Sequence, residues 1–229
     1  LHTAYRRQRQ MCIRDSVLTI DLPGHGKDTS DMNDTWDFPY IAHALDEVLS
    51  QYDMYDVYLL GYSMGGRVAL YYALNGSVAL RGLLLESTSA GIQSEADKVE
   101  RVQVDAARAK VLEIAGLEIF VNDWEKLPLF RSQYELDAEV RKAIRANRMS
   151  QNPVRLAKAL RDYGTGNMPN LWPHVSSLSV RTLILTGEKD EKFVQIGQKL
   201  KEEIPNSHTV QVSDVGPVSY THLTLPTIC

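Results

Sequence analysis

Gly61-Tyr62-Ser63-Met64-Gly65 stands between the apolar run Val57–Leu60 and a segment, 64–75, with helical spacing. A serine on so sharp a strand-to-helix turn is presented clear of its neighbours, and small residues must flank it. Gly61 and Gly65 are expected to supply that space. The hydroxyl can then act as nucleophile or base, provided a histidine takes its proton and a carboxylate orients the histidine. The backbone N–H of Met64, at the helix N-terminus, is expected to donate to a developing oxyanion. The bland alternative is a tight structural turn with a solvent-facing serine.

The chain order expected of such a triad is serine, acid, histidine. Asp190 fits the acid, because it follows the apolar run Val180–Leu185 through Gly187-Glu188-Lys189. Glu188 is a weaker competitor, and a solvated aspartate beside Lys189 and Lys192 is the alternative. The histidine is expected after the last strand, just beyond Val215-Gly216, where the chain carries Pro217. His208 and His174 read as structural, His25 and His43 come too early, and His222 falls in a suspect tail. A triad histidine is therefore missing from the chain as written. The second oxyanion donor normally comes from a loop after an earlier strand, and no such loop precedes Val17.

These groups need elements to hold them. Val17–Ile20, Val57–Leu60, Leu80–Leu85, Val180–Leu185 and His208–Val212 read as strands. Residues 38–52, 64–75 and 192–203 have helical spacing, with Gly76 ending the second. The alternation implies βαβ units, and strands that are apolar throughout imply a sheet covered on both faces. Residues 94–170 are charged and helical in period, broken at Pro128 and Pro153. The expectation is an α/β fold with a mostly parallel sheet, helices on both faces and an inserted helical cap. Its core is assigned to 17–93 and 171–216, and its cap to 94–170.

Composition narrows the function classes. The 229 residues are 44% apolar with a net charge of −4, enough for a core and without a basic stripe for nucleic acid. No apolar run approaches the roughly 20 residues that span a bilayer. The two cysteines, Cys12 and Cys229, imply no disulfide framework, so a cytoplasmic setting is the default. The sequence leaves the oligomeric state open.

Both ends read as foreign. Residues 1–16 lack periodicity, and 217–229 follow abruptly on a strand and turn. Met11–Ser16 back-translates as ATG TGT ATA AGA GAC AG. The reverse complement of that string encodes Val-Ser-Tyr-Thr-His, the residues from Val218 to His222. Such mirror-image DNA resembles read-through into a sequencing adapter, so 1–16 and 217–229 are expected to be non-native tails on a truncated fold. The codon for Pro217 then begins with a native C, which is the first base of histidine codons and equally of leucine, proline, glutamine and arginine codons.

Several stretches together resemble a known family. They are Asp21-Leu22-Pro23-Gly24-His25-Gly26, Gly61–Arg67, Glu86–Gly91, Asp123-Trp124 with Pro128 and Phe130, Arg145-Ala146-Asn147, and Gly187–Phe193. They resemble the 2-succinyl-6-hydroxy-2,4-cyclohexadiene-1-carboxylate synthases, the MenH family of the α/β-hydrolase fold. The resemblance implies a lyase of menaquinone biosynthesis that eliminates pyruvate from 2-succinyl-5-enolpyruvyl-6-hydroxy-3-cyclohexene-1-carboxylate. It implies no metal or organic cofactor, a polycarboxylate small-molecule substrate, and no nucleic-acid or membrane partner. Family substrate contacts carry over to Tyr62, Arg67, Arg101, Trp124 and Arg145, with Arg148 and Arg155 as alternatives to Arg145. Guanidinium groups suit carboxylates because they donate in a planar fork. A serine carboxylesterase or thioesterase is the runner-up, and a non-catalytic binding protein of the same fold is the second alternative.

Overall fold

The computed structural model describes residues 3–4, 17–52 and 55–216. Cys12, Cys229, Pro217 and His222 lie outside the described residues. A four-stranded parallel sheet runs β3 (Tyr58–Tyr62), β4 (Gly82–Glu86), β5 (Thr182–Gly187) and β6 (Ser207–Val212), side by side in chain order. Its crossovers are α2 (Met64–Asn75) between β3 and β4, and α7 (Glu191–Glu203) between β5 and β6. Between β4 and β5 the chain makes four helices: α3 (Glu95–Ile114), α4 (Gly116–Trp124), α5 (Ala138–Met149) and α6 (Pro153–Tyr163). Pro128 opens a 3-10 segment and Pro153 opens α6, as their fixed φ and missing N–H favour.

The helix starts are written in capping side chains. Asp37 accepts from the N–H of Tyr40 ahead of α1 (Phe38–Leu49), and Asn152 accepts from Val154 and Arg155 ahead of α6. The main core lies under α1 and α2, where Trp36, Phe38, Ile41, Leu70, Tyr72, Leu83 and Leu85 are almost fully buried. Ala109, Leu112 and Ala157 form a second small cluster, which joins α3 to α6.

Two expectations are corrected. Val17–Ile20 does not join the parallel sheet. Its strand, β2, covers only Thr19–Ile20 and pairs antiparallel with β1 (Thr3–Ala4). Val17 is 67% exposed, so the run is not a buried strand. A short apolar run carries no record of which ladder it enters, and here Ile20 and Leu22 reach the core through side chains instead.

The second correction concerns the sheet faces. In register, Gly61, Leu85, Ile184 and Thr209 share one face, and α2 and α7 cover it. Leu60, Leu84, Leu183 and His208 share the other. Among the described residues that second face is open, with Tyr58 63%, Leu60 53% and Val210 45% exposed. Apolar strands predict cover on both faces, and the described helices supply it on one.

Candidate active site

Ser63 links β3 to α2 with φ 49° and ψ −106°, a region that a residue with a Cβ rarely occupies. Three bonds hold it there. Its N–H donates to Glu86 O at 2.8 Å, and its carbonyl accepts from Arg67 N at 3.1 Å and from Thr88 Oγ1 at 2.7 Å. The close approach is made by Gly61 and Gly66. A Cβ on Gly61 would sit 2.3 Å from Gly65 O, and one on Gly66 would sit 2.6 Å from Thr88 Cβ. Gly65 faces open space, so the expectation that it makes room is corrected in favour of Gly66. Met64 is the first residue of α2, and a helix leaves such an N–H without an intrahelical acceptor.

Asp190 stands two strands away at the same sheet edge, because β3, β4 and β5 are parallel and in register. It is buried and caps α7, with Oδ1 accepting from Phe193 N at 3.2 Å. Its Oδ2 is buried without a partner among the described residues. Burial pushes its carboxyl above the usual aspartate value, against the pull of the Phe193 N–H and of Lys192. The solvated-loop alternative does not describe it. Glu188, the competitor, is committed to the N–H of Asp214 at 3.0 Å. The chain after β6 folds back here, with Lys189 N donating to Val215 O at 2.9 Å and Gly216 O against Gly187. The chain therefore leaves Gly216 beside the loop that carries Asp190.

Tyr62 closes β3, in register with Glu86. Arg67 is one turn beyond Ser63, and its Nη1 donates to Thr165 Oγ1. Burial, then the charge of Arg101, pushes the Arg67 guanidinium down to about 10, with Asp105 and Tyr163 opposing. Arg101 donates from Nε to Asp105 Oδ1 at 2.9 Å. Trp124 stacks on Phe120 at 5.5 Å, and Arg108 lies 5.1 Å over its ring. A connected path thus runs from Ser63 through Arg67, Thr165 and the Asp105 cluster to Trp124. Arg145 is outside it. Its two nitrogens donate to Glu125 at 2.6 Å and Asn122 at 2.7 Å, bridging α4 to α5. Arg148 shares Glu125 and lies over Phe130, which leans on Trp124. Arg155 is bound to Asp28 at 2.6 Å and to Ser30 O, so it ties α6 to the core.

Sequence reasoning missed Asp105, Arg108, Thr165, Tyr163 and Thr88. The first two had a signal, since Arg101, Asp105 and Arg108 fall at i, i+4 and i+7 on one helical face. His25, read as too early for the triad, is half-buried against Tyr163 Oη at 2.9 Å from Nδ1, and desolvation lowers its pKa. His174, His208 and His43 are exposed. Among the described residues no group of three or more His, Cys, Asp or Glu is placed to hold a metal. No helix among them is long and apolar enough to cross a membrane.

A family model described as the alpha/beta hydrolase fold matches residues 10–221. A Bacillus subtilis (strain 168) protein assigned as a 2-succinyl-6-hydroxy-2,4-cyclohexadiene-1-carboxylate synthase is 36% identical over 201 residues, 87% of this chain and 73% of its own. The solved structure of MenH from S. aureus is 59% identical, with a TM-score of 0.88 over 89% of this chain and 76% of that one. A thermophilic esterase from Thermogutta terrifontis, solved with malate bound, is 26% identical, with a TM-score of 0.72 over 87% of this chain and 71% of that one. By fold and by sequence, the chain belongs to the α/β-hydrolase-fold family and, within it, to the MenH 2-succinyl-6-hydroxy-2,4-cyclohexadiene-1-carboxylate synthases.

Proposed function

We propose that this chain is a pyruvate-eliminating lyase of menaquinone biosynthesis, working in the cytoplasm without a cofactor. Its product is 2-succinyl-6-hydroxy-2,4-cyclohexadiene-1-carboxylate. The observation that carries the reading is Arg67, a half-buried guanidinium, partly stripped of water, one turn beyond the strained Ser63. A cation stripped of water calls for an anion, and a substrate with several carboxylates supplies it.

In this mechanism Ser63 Oγ, its own proton drawn to a histidine, removes a ring proton of the substrate. The C–H electron pair from ring carbon 2 forms a double bond to carbon 3, the existing carbon 3–carbon 4 double bond shifts to carbons 4 and 5, and the carbon 5–oxygen bond to the enolpyruvyl group breaks. The departing enolate takes up a proton and leaves as pyruvate. Asp190 orients the histidine and offsets its charge, and the Met64 N–H faces the negative charge that develops. Tyr62, Arg101 and Trp124 complete the contacts to the carboxylates and the ring. The chain carries Pro217 where that histidine is expected.

The test compares the chain with its Pro217→His variant. Pyruvate release from the enolpyruvyl substrate and cleavage of a p-nitrophenyl ester are measured side by side. The expected result is pyruvate from Pro217→His, reduced by about 10³-fold or more on adding Ser63→Ala. Ester turnover without pyruvate moves the assignment to the esterase, and no pyruvate from either form rejects the lyase.

A further inference from the structure

Asp105 is a charged side chain that the mechanism does not use. It sits mid-way along α3, and only 4% of its side chain is exposed. An ionised carboxylate at that depth has to be held by donors or cations. Oδ1 takes the Nε–H of Arg101 at 2.9 Å and lies 3.9 Å from Arg108 Nη1. Oδ2 accepts the backbone N–H of Gly166 at 3.2 Å. Gly166 belongs to the tight turn Thr165–Asn167, whose Thr165 hydroxyl receives Arg67. One carboxylate therefore touches, directly or through one turn, all three arginines that line the path from Ser63 to Trp124.

The geometry leaves the arginines usable. Arg101 spends only Nε on Asp105, so its terminal nitrogens have no partner among the described residues. Arg108 is held by the face of Trp124 and has no hydrogen bond among them. Three guanidinium groups and one carboxylate leave two positive charges at the cap–core joint. That excess matches a ligand with two carboxylates.

We propose that Asp105 is a positioning residue for a dicarboxylate-binding arginine cluster, setting the plane of Arg101, limiting the mutual repulsion of Arg67, Arg101 and Arg108, and pinning the turn that holds Arg67. The proposal rests on the carboxylate-substrate reading above and adds a residue and a ligand charge to it. Asp105 also opposes the burial and the Arg101 charge that hold Arg67 below its ordinary value. The charged and titratable groups acting on Arg67 are Arg101 and Asp105 from α3 and Tyr163 from α6. His25 meets Tyr163 from the loop before α1. Loss of Asp105 removes the one carboxylate in that set, so Arg67 gives up its proton at a lower pH.

The test titrates the full chain with succinate, followed by tryptophan fluorescence from pH 6 upward, with acetate as the single-carboxylate control. Wild type, Asp105→Asn and Thr165→Val are compared, and thermal melting checks each fold. Wild type is expected to bind succinate and to lose it as pH rises toward about 10, where Arg67 discharges. Asp105→Asn is expected to bind succinate about tenfold more weakly at neutral pH, with its alkaline loss moved down by about one pH unit. Its acetate response should change less than threefold. Asn keeps the size of the side chain, so a merely structural role would leave the pH profile in place. Wild-type affinity in Asp105→Asn, or weaker binding with an unmoved profile, overturns the proposal. Failure of wild type to bind succinate overturns both this proposal and the carboxylate reading. Where Asp105→Asn does not melt cooperatively, Thr165→Val decides. About threefold weaker succinate binding supports the proposal, and wild-type binding overturns it.

Discussion

Thr88 donates its hydroxyl to the carbonyl of Ser63 at 2.7 Å, across the gap between the ends of β3 and β4. The same side chain is the wall that a Cβ on Gly66 would strike. One residue thus both clamps the strained serine and fixes how closely α2 can approach β4. Thr88→Val keeps the wall and removes the clamp. The expected cost is about 1 kcal/mol in denaturant unfolding, the usual worth of one hydrogen bond to a carbonyl. Serine reactivity should fall further than stability, because the lost bond orients the carbonyl of the reacting residue itself. Labelling of Ser63 by a fluorophosphonate, measured with and without Thr88→Val in the Pro217→His background and compared with the unfolding midpoint, checks both halves.

The glycines of the elbow are not equivalent. Gly61→Ala puts a methyl within 2.3 Å of a backbone oxygen that α2 cannot move, so a loss of several kcal/mol or failure to fold is expected. Gly65→Ala meets nothing within 4 Å and sits in a helix. It should be neutral or stabilising by up to about 1 kcal/mol. Equal losses from both variants in urea unfolding would reject this account of the turn.

This contrast shows where the sequence was legible. The strand–turn–helix around Ser63, the helix over 64–75 and the loop after β5 that carries Asp190 were readable because each is set by neighbouring residues: apolar runs, a capping aspartate and a glycine. Gly61 and Gly65 read alike, since the difference between them is made by what lies across the sheet. The Asp105 cluster was half legible. Its helical spacing was in view, but its burial depends on the turn at Thr165–Asn167. The joint from Arg155 to Asp28 spans 127 positions, and no local pattern announces it.

The open sheet face yields a solubility prediction. Leu60 is 53% exposed on it, while Leu85, on the covered face, is fully buried. Leu60→Lys removes apolar surface from water at little packing cost. It should lower binding of a hydrophobic dye and leave the melting temperature within a few degrees. Leu85→Ala should cost about 2–5 kcal/mol. A large loss of stability from Leu60→Lys would mean that this face is covered in solution.

Arg155 is the mooring of the cap. Its guanidinium bonds a fully buried Asp28 carboxylate, lies over the Trp36 ring at 5.0 Å and donates to Ser30 O. Bonds from Ser30, Gly24 and Arg155 hold the Asp28 carboxyl below its ordinary 3.8, against the cost of burial. A depressed carboxylate stabilises the fold above its unfolded value, and that contribution fades as pH falls through the lower folded value. Arg155→Ala should therefore cost about 3 kcal/mol at pH 7, since it strands a buried charge. The deficit should shrink as pH falls below 3.8 and through the lower folded value, where Asp28 takes its proton in the wild type as well. A deficit independent of pH would assign the loss to packing on Trp36 instead.

Asp190 carries the opposite sign. Burial raises its carboxyl above the ordinary 3.8, and its Oδ2 lacks a partner among the described residues. A carboxyl with a raised folded value stabilises the fold only while protonated, so ionised Asp190 works against folding at neutral pH. Asn at this position keeps an oxygen for the Phe193 N–H and removes the buried charge. Asp190→Asn should therefore melt higher than wild type at pH 7. The advantage should vanish below pH 3.8, where the aspartate is neutral in both states. Such a trade of stability for a charge is what a group kept for chemistry shows. The same variant should then lose any turnover that Pro217→His confers. A stabilised Asp190→Asn, Pro217→His double variant that still released pyruvate at the single-variant rate would remove Asp190 from the site.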